Sequence, residues 1–281
     1  MRKAVHFGPG SIGMGFFGQI YHESGYQIVF VGRTREKVDL LNLHGEYPLM
    51  LSSRDGTVRE ILIEGVKAIS YLDKEKLEDE ISSADILSTA VGASALPSIA
   101  GPIAAGLMAR WRKQNFKPLN ILLGENLVDA DKYFAGLVEA ELREPDLIKT
   151  FRDIVGVVDT SVERLVPVIA DEMRFGHPLR TWASDTFEFP VDKNAFKGET
   201  PDLKYMILLK DFEFYKKRKI FVFNSGHSIM AYLGHVKGYK RMSQAYKDPA
   251  VVQAAYHAMF ESASALCSEF GIPLDETLQR I

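Results

Sequence analysis

Cysteine is almost absent from this chain of 281 residues, in which Cys267 is the only one. One cysteine cannot close an internal disulfide, and its setting in Ser264-Ala265-Leu266-Cys267 predicts a buried, inert thiol on a helix. The spacings by which cysteine and histidine usually hold zinc, CxxC and HxxE among them, are missing as well. We therefore expect a reducing compartment, and the sequence shows no zinc-binding spacing of these kinds.

Long apolar runs and an excess of positive charge are also missing. No apolar run reaches the roughly 18 residues of a membrane-spanning helix, and no signal-like segment precedes the first predicted strand. The net charge of −3 gives no sign of a surface for nucleic acids or anionic membranes. These absences predict a cytoplasmic protein whose partners include no nucleic acid and no membrane.

The order of apolar runs predicts the fold class, because short strand-like runs alternate with helical stretches. Predicted strands are residues 4–7, 27–31, 68–71, 86–90, 120–123, 155–158 and 181–189, with an inserted hairpin of 47–52 and 58–63. Predicted helices are residues 11–24, 35–43, 74–81, 98–112, 203–215, 229–233 and 250–270. We predict an α/β fold, in which a Rossmann-type doubly wound, mainly parallel sheet (residues 1–192) precedes a smaller α-helical domain (residues 193–281).

A glycine motif follows the first predicted strand. Gly8, Gly10 and Gly13 complete GxGxxG in His6-Phe7-Gly8-Pro9-Gly10-Ser11-Ile12-Gly13. Between a strand and a helix, such glycines allow a tight turn and close approach to a pyrophosphate, and they leave the helix N-terminus free to face phosphates. The motif predicts a dinucleotide site that includes Ser11 and Ile12.

The end of the second predicted strand bears on which dinucleotide binds. Folds that prefer NAD usually place Asp or Glu about 20 residues past the glycines, where it binds the ribose 2′-hydroxyl. Gly32 stands there instead, followed by Arg33, Thr34 and Arg35, with Lys37 close by. Guanidinium groups bind a 2′-phosphate that a carboxylate would repel, so we predict NADP(H) over NAD(H). The alternative is that these cations merely begin a solvated helix.

A second group of polar residues interrupts an apolar stretch. Lys219, Asn224 and His227 fall within an arc of roughly 140° on a regular α-helix, so they could face one ligand. A lysine in apolar surroundings has its pKa lowered toward neutrality, as a general base for an alcohol requires. The alternative is a solvated basic face continuing Lys216-Lys217-Arg218, with a helix end and a structural histidine after it.

These residues resemble a known family. Lys-x4-Asn-x2-His, followed by Ala231-Tyr232-Leu233-Gly234, is similar to the signature of the polyol-specific long-chain (mannitol) dehydrogenases. Similar segments occur in the same order along nearly the whole chain: Phe7-Gly8-Pro9-Gly10-Ser11-Ile12-Gly13, Thr89-Ala90-Val91-Gly92, Gly124-Glu125-Asn126, Val162-Glu163-Arg164-Leu165-Val166-Pro167 and Val191-Asp192-Lys193.

The resemblance implies metal-independent hydride transfer between a nicotinamide and a secondary alcohol carbon of a polyol or polyol phosphate, giving a ketose or ketose phosphate. It implies that Lys219 is the general acid/base, that Asn224 and Asn126 hold the reacting oxygen, and that His227 binds substrate. It also implies cofactor contacts for Ala90, Val91 and Gly92, substrate contacts for Glu163 and Arg164, and a monomer or weak homodimer.

The chain departs from the family at several points. Glu163 stands where the family usually has aspartate, which leaves open a plain ion pair with Arg164, and Met14 stands where arginine is common. Family members also continue beyond the point that matches Ile281, with basic residues that bind the far end of the substrate, so we expect either a truncated chain or a natural short form. A uronate reductase of the tagaturonate or fructuronate type and a non-catalytic NADP-binding protein remain alternatives. A ketopantoate-reductase-like enzyme fits the spacing from Lys219 to His227 less well.

Overall fold

A computed structural model describes residues 1–275, which fall into two compact units, Met1–Lys210 and a second unit that begins at Asp211. This division lies later in the chain than the predicted boundary at Asp192. The reason is strand pairing, because the last strand of the first unit pairs with a strand that ends at Asp192. Residues 276–281 of the predicted second domain lie outside the described residues.

The first unit is built on a six-stranded sheet in which every neighbouring pair is parallel. Its strands are β1 (Arg2–Phe7), β2 (Tyr26–Gly32), β5 (Val66–Ser70), β6 (Ile86–Thr89), β7 (Leu119–Leu123) and β8 (Val155–Asp159). Their order in the sheet is β5-β2-β1-β6-β7-β8. With the inserted hairpin of β3 (Tyr47–Ser52) and β4 (Val58–Ile63) set aside, this is the 3-2-1-4-5-6 order of a Rossmann fold. The predicted fold class is confirmed.

Helices connect these strands and cover both faces of the sheet. They are α1 (Gly18–Glu23, preceded by a π-helical segment, Gly13–Phe17), α2 (Arg35–His44), α3 (Lys74–Ser82), α4 (Leu96–Arg112), α5 (Ala130–Leu142) and α6 (Pro145–Ile154). Asp73 caps α3, and Pro97 lies in the first turn of α4. Helices α5 and α6 were not predicted.

Alternate residues of the central strands enter two separate cores. Ala4, Ile28 and Phe30 pack in one core, whereas Val5, Val29 and Val31 pack in the other. Successive side chains of a strand point to opposite faces, so a strand that is apolar at every position is buried on both sides. The apolar runs that predicted these strands are therefore explained by burial on both faces.

Two small sheets complete the first unit. The predicted hairpin forms β3 (Tyr47–Ser52) and β4 (Val58–Ile63), and β9 (Thr181–Ser184) pairs with β3 in parallel. The single predicted strand 181–189 is wrong, because β10 (Phe189–Asp192) belongs to a different sheet with β11 (Met206–Leu209). The first part of the predicted helix 203–215 is also wrong, because Met206–Leu209 forms strand β11 and the helix begins only at Phe212.

The second unit is helical over the residues that the structure describes. Its elements are α7 (Phe212–Arg218), a π-helical segment (Lys219–Asn224), α8 (Ser225–Val236), α9 (Met242–Ala245) and α10 (Pro249–Phe270). Cys267 is buried on α10, as predicted. A Cβ added to Gly226 would collide with the side chain of Met259, so this glycine allows α8 to lie close to α10. In the part of the chain that the structure covers, no helix is both long and apolar enough to cross a membrane.

Candidate functional site

The glycine motif forms the connection between β1 and the following helix. Gly8 has φ +102°, and a Cβ there would lie 2.5 Å from the carbonyl oxygen of Ala90. A Cβ at Gly13 would overlap the carbonyl oxygen of Gly8. By contrast, a Cβ at Gly10 would have no atom of residues 1–275 within 4 Å. Two glycines are thus required by the protein itself, and the third keeps open a space that a ligand can approach.

A cleft of about 480 Å³ lies over this turn. Six of the predicted cofactor residues line it: Gly8, Gly10, Arg33, Thr34, Ala90 and Val91. Lys37, which the sequence placed close to the predicted cations, lines it too, as do four residues for which no role was predicted: Pro9, Tyr71, Ser98 and Ile99. The cleft opens between the carboxyl ends of β1 and β6, where the strand order reverses, and dinucleotides bind at this point in open α/β sheets. Its open Gly10, its shape and its cations fit a nicotinamide dinucleotide.

The remaining predicted cofactor residues occupy different places. Ser11 and Ile12 begin the helix after the glycines, and Ile12 packs on the core. Gly92, at φ +86°, turns the chain after β6. Arg35 contributes to a neighbouring cavity and pairs with Asp39 at 3.7 Å, with its side chain 93 % exposed.

The ends of β6 and β7 are tied together by a buried carboxylate. Glu125 accepts hydrogen bonds from Thr89 Oγ1 at 2.6 Å and from the backbone N–H of Val91 at 3.0 Å. This fixes the loop that carries Val91 into the cleft. Asn126 follows directly and is exposed in the same loop. The sequence predicted a role for Asn126 but none for Glu125. The position of this acidic residue directly after a buried strand could have indicated its structural role.

The helix after the glycines begins as a π-helical segment, and two distant side chains satisfy its carbonyls. Tyr47, which is fully buried, donates to the Met14 carbonyl at 2.7 Å. Arg164 donates to the Gly15 carbonyl at 2.8 Å and to Gln19 Oε1 at 2.7 Å. π-Helical turns are rare and are frequent at functional sites. We therefore assign Arg164 a positioning role for this helix.

Glu163 and Arg164, both predicted to contact substrate, differ in burial and in their hydrogen-bond partners. Burial lowers the pKa of Arg164 to about 10, and its side chain is 8 % exposed. Arg164 also donates to the Ser184 carbonyl at 2.8 Å. Glu163 is half-buried and accepts a hydrogen bond from Ser161 Oγ at 2.7 Å. Arg164 is thus occupied by the scaffold, whereas Glu163 is partly accessible.

His6 lies beneath the glycine turn in an apolar environment. It is fully buried against Phe17 and Phe30, and its Nδ1 lies 2.7 Å from Ser88 Oγ. Burial lowers its pKa to about 3, an effect partly offset by a hydrogen bond with the Gly8 backbone. The imidazole is therefore neutral at ordinary pH and supports the turn by packing.

Lys219, Asn224 and His227 lie on one continuous helical run of the second unit. Lys219 and Asn224 begin and end its π-helical segment, and His227 is in the first turn of α8. The i→i+5 bonding of a π-helix widens the turn and brings residues five apart toward one face, so the expected arc of 140° overstates their separation. Lys219 and Asn224 are half-buried, whereas His227 is exposed.

The residues before Lys219 do not form a solvated basic face. Lys216 and Arg218 are buried, at 3 % and 8 % exposure. Lys217 bonds to Glu213 at 3.0 Å and to Glu269 at 2.9 Å. The predicted alternative of a solvated basic face at Lys216-Lys217-Arg218 is therefore wrong. Among residues 1–275, no group of three or more His, Cys, Asp or Glu side chains is arranged to hold a metal ion.

Each of the two units matches a known protein family model. The family model of the mannitol dehydrogenase Rossmann domain matches residues 2–205, and that of the mannitol dehydrogenase C-terminal domain matches residues 211–278. Both boundaries agree with the division of the structure after Lys210.

Individual relatives and a solved structure give the same result. The chain is 34 % identical over 268 residues to mannitol-1-phosphate 5-dehydrogenase of Brevibacillus brevis, covering 95 % of this chain and 67 % of that protein. It is 35 % identical to the protein of the same name from Bacillus velezensis, covering 97 % and 71 %. Mannitol 2-dehydrogenase of Pseudomonas fluorescens, solved with NAD and D-mannitol, shares the fold at 18 % identity and a TM-score of 0.81, covering 99 % of this chain and 67 % of that chain. The chain belongs to the mannitol dehydrogenase family.

Proposed function

We propose that this chain is a nicotinamide-dependent dehydrogenase that interconverts a polyol phosphate and a ketose phosphate, with D-mannitol 1-phosphate and fructose 6-phosphate as the first pair to test. The observation that carries the proposal is the family match along both units, with relatives named mannitol-1-phosphate 5-dehydrogenase. The open cleft over Gly10 supports a dinucleotide cofactor.

The cofactor, when bound, accepts hydride from the alcohol carbon or returns it to the ketone. Gly8, Gly10, Ala90 and Val91 would hold it, because they line the cleft at the turn. We assign NADP(H) as the preferred form. Gly32 supports this, because it supplies no carboxylate, and a Cβ there would lie 2.9 Å from Val38 Cγ2 and 3.3 Å from Pro9 Cγ, so a larger residue would require these side chains to shift.

The proton is handled by residues of the family motif. Lys219 takes the proton of the substrate hydroxyl during oxidation and returns it during reduction, as a general acid/base. Asn224 and Asn126 donate hydrogen bonds to the reacting oxygen and stabilise its developing charge, and His227 binds substrate. Their family match and the half-buried position of Lys219 support these roles. The half-buried carboxylate of Glu163 is assigned to substrate hydroxyls.

A spectrophotometric screen tests the proposal. NADPH and NADH oxidation is followed with fructose 6-phosphate, fructose, tagaturonate and fructuronate. We expect the fastest oxidation with fructose 6-phosphate and NADPH. Faster turnover of a uronate would assign the chain as a uronate reductase. Cofactor binding without turnover of any of the four would refute the dehydrogenase assignment, and equal or better efficiency with NADH would refute the cofactor preference.

A further inference from the structure

Lys37 lines the cofactor cleft, and its amine has no hydrogen-bond or ion-pair partner among residues 1–275. Lys37 is on α2 and lines the cleft together with Gly10 and Arg33. Burial lowers its pKa, and the nearby charge of Arg174 lowers it further. A half-buried ammonium group that is not compensated by a carboxylate is a costly arrangement, and it gains stability when an anion approaches.

The second cation, Arg174, comes from a later segment of the first unit. Arg174 ends a short turn, Asp171–Arg174, and its guanidinium is held in place by other bonds. It lies 3.2 Å from Asp171 and donates to the carbonyls of Pro178 at 3.0 Å and Arg180 at 3.2 Å. A fixed positive charge near Lys37 makes the cleft more positive at this point, which favours an anionic ligand group.

Lys37 and Arg35 are two residues apart but differ in their surroundings. Arg35 is 93 % exposed, pairs with Asp39 and lines a different cavity, so it has no direct part in the cleft. On a helix, residues two apart face different directions, and the rotation of α2 turns Lys37 toward the glycines. The chain therefore supplies a matched control for Lys37 on the same helix.

We propose that Lys37 is the residue that selects a cofactor with a phosphomonoester on its adenosine ribose, an inference that rests on the NADP(H) preference of the proposed function. Gly32 leaves this end of the cleft without a carboxylate, and Arg33 and Thr34 line it beside Lys37. The ammonium group binds the ester phosphate as a point charge. Arg35 contributes nothing to the choice.

Titration of cofactor fluorescence with the purified chain tests this without any substrate. The dissociation constants of NADPH and NADH are measured for the wild type, Lys37→Met, Lys37→Arg and the control Arg35→Met. We expect Lys37→Met to weaken NADPH by about 10- to 100-fold and NADH by less than about twofold, since only NADPH carries the phosphate. Lys37→Arg should restore most NADPH affinity, and Arg35→Met should change neither constant by more than about twofold.

Two results would overturn the role of Lys37. One is a Lys37→Met variant that binds NADPH as the wild type does, and the other is an equal loss for both cofactors. Because the two ligands differ only in the phosphate, this comparison is decisive whichever cofactor the wild type prefers. A wild type that binds NADH as tightly as NADPH refutes the preference in the proposed function separately. Thermal unfolding of Lys37→Met, expected at or above the wild-type temperature, confirms that the variant is folded.

Discussion

Replacing Gly13 with alanine tests the glycine turn, because one methyl group enters a space with no room for it. The added Cβ would overlap the Gly8 carbonyl oxygen and lie 2.7 Å from His6 Nε2, whereas ordinary contact begins at 3.4 Å. To reach ordinary contact, the Gly8 backbone and the buried His6 ring must move away from the new methyl group by about 0.7 Å or more. We expect a loss of about 1–3 kcal/mol in the free energy of unfolding, as in other overpacked sites.

The same shift should weaken cofactor binding by about 10- to 100-fold, because it moves the backbone that must approach the pyrophosphate closely, and one charge-assisted hydrogen bond lost costs about that much. The assay is cofactor fluorescence titration with thermal unfolding of the same samples. Gly136→Ala is the control, since Gly136 lies within α5 and an added Cβ there has no atom of the described chain within 4 Å. The control should bind cofactor normally and gain about 0.4–1 kcal/mol in stability. Wild-type affinity in Gly13→Ala would refute the assignment of the turn.

Three further predictions concern residues around the cleft. Tyr47→Phe should lower the free energy of unfolding by about 1–3 kcal/mol in urea titrations, because the Met14 carbonyl loses a buried donor; an unchanged value would contradict this. Glu125→Ala should weaken cofactor binding about tenfold or more, since the Val91 loop loses its clamp, and unchanged affinity would remove that role. The wild type should lose stability as the pH falls from 6.5 toward 3, because folding holds His6 neutral with a pKa of about 3. In His6→Gln, this part of the pH dependence of the thermal unfolding temperature should vanish. An unchanged pH dependence in the variant would contradict the role of His6.

Local sequence pattern predicted most of the sheet, because each parallel strand is an apolar run bounded by polar residues or turns. Tyr47–Ser52 and Val58–Ile63 were predicted to the residue, since a turn at Arg54-Asp55-Gly56 fixes the hairpin. The failure at Met206–Leu209 has a physical cause. Four apolar residues fit a strand or a buried helix turn equally well, and pairing with β10 decides between them.

The parts of the site that depend on distant residues could not be predicted in this way. The π-helical start of the glycine helix is supported by Tyr47 and Arg164, which lie 33 residues from Met14 and 149 residues from Gly15 in the sequence. No local pattern reports such contacts. Similarly, the run Arg33-Thr34-Arg35 indicated a cation cluster, but only the rotation of α2 shows that Lys37 lines the cleft and Arg35 does not.

The measurement that most directly tests the proposed chemistry is the turnover of Lys219→Met with fructose 6-phosphate and NADPH. If Lys219 is the general acid/base, kcat should fall by about 10²- to 10⁴-fold while the dissociation constant of the cofactor stays within about twofold of the wild type. Lys217→Met, which removes a lysine paired with Glu213 and Glu269, should keep a near-normal kcat. Undiminished turnover in Lys219→Met would contradict the account.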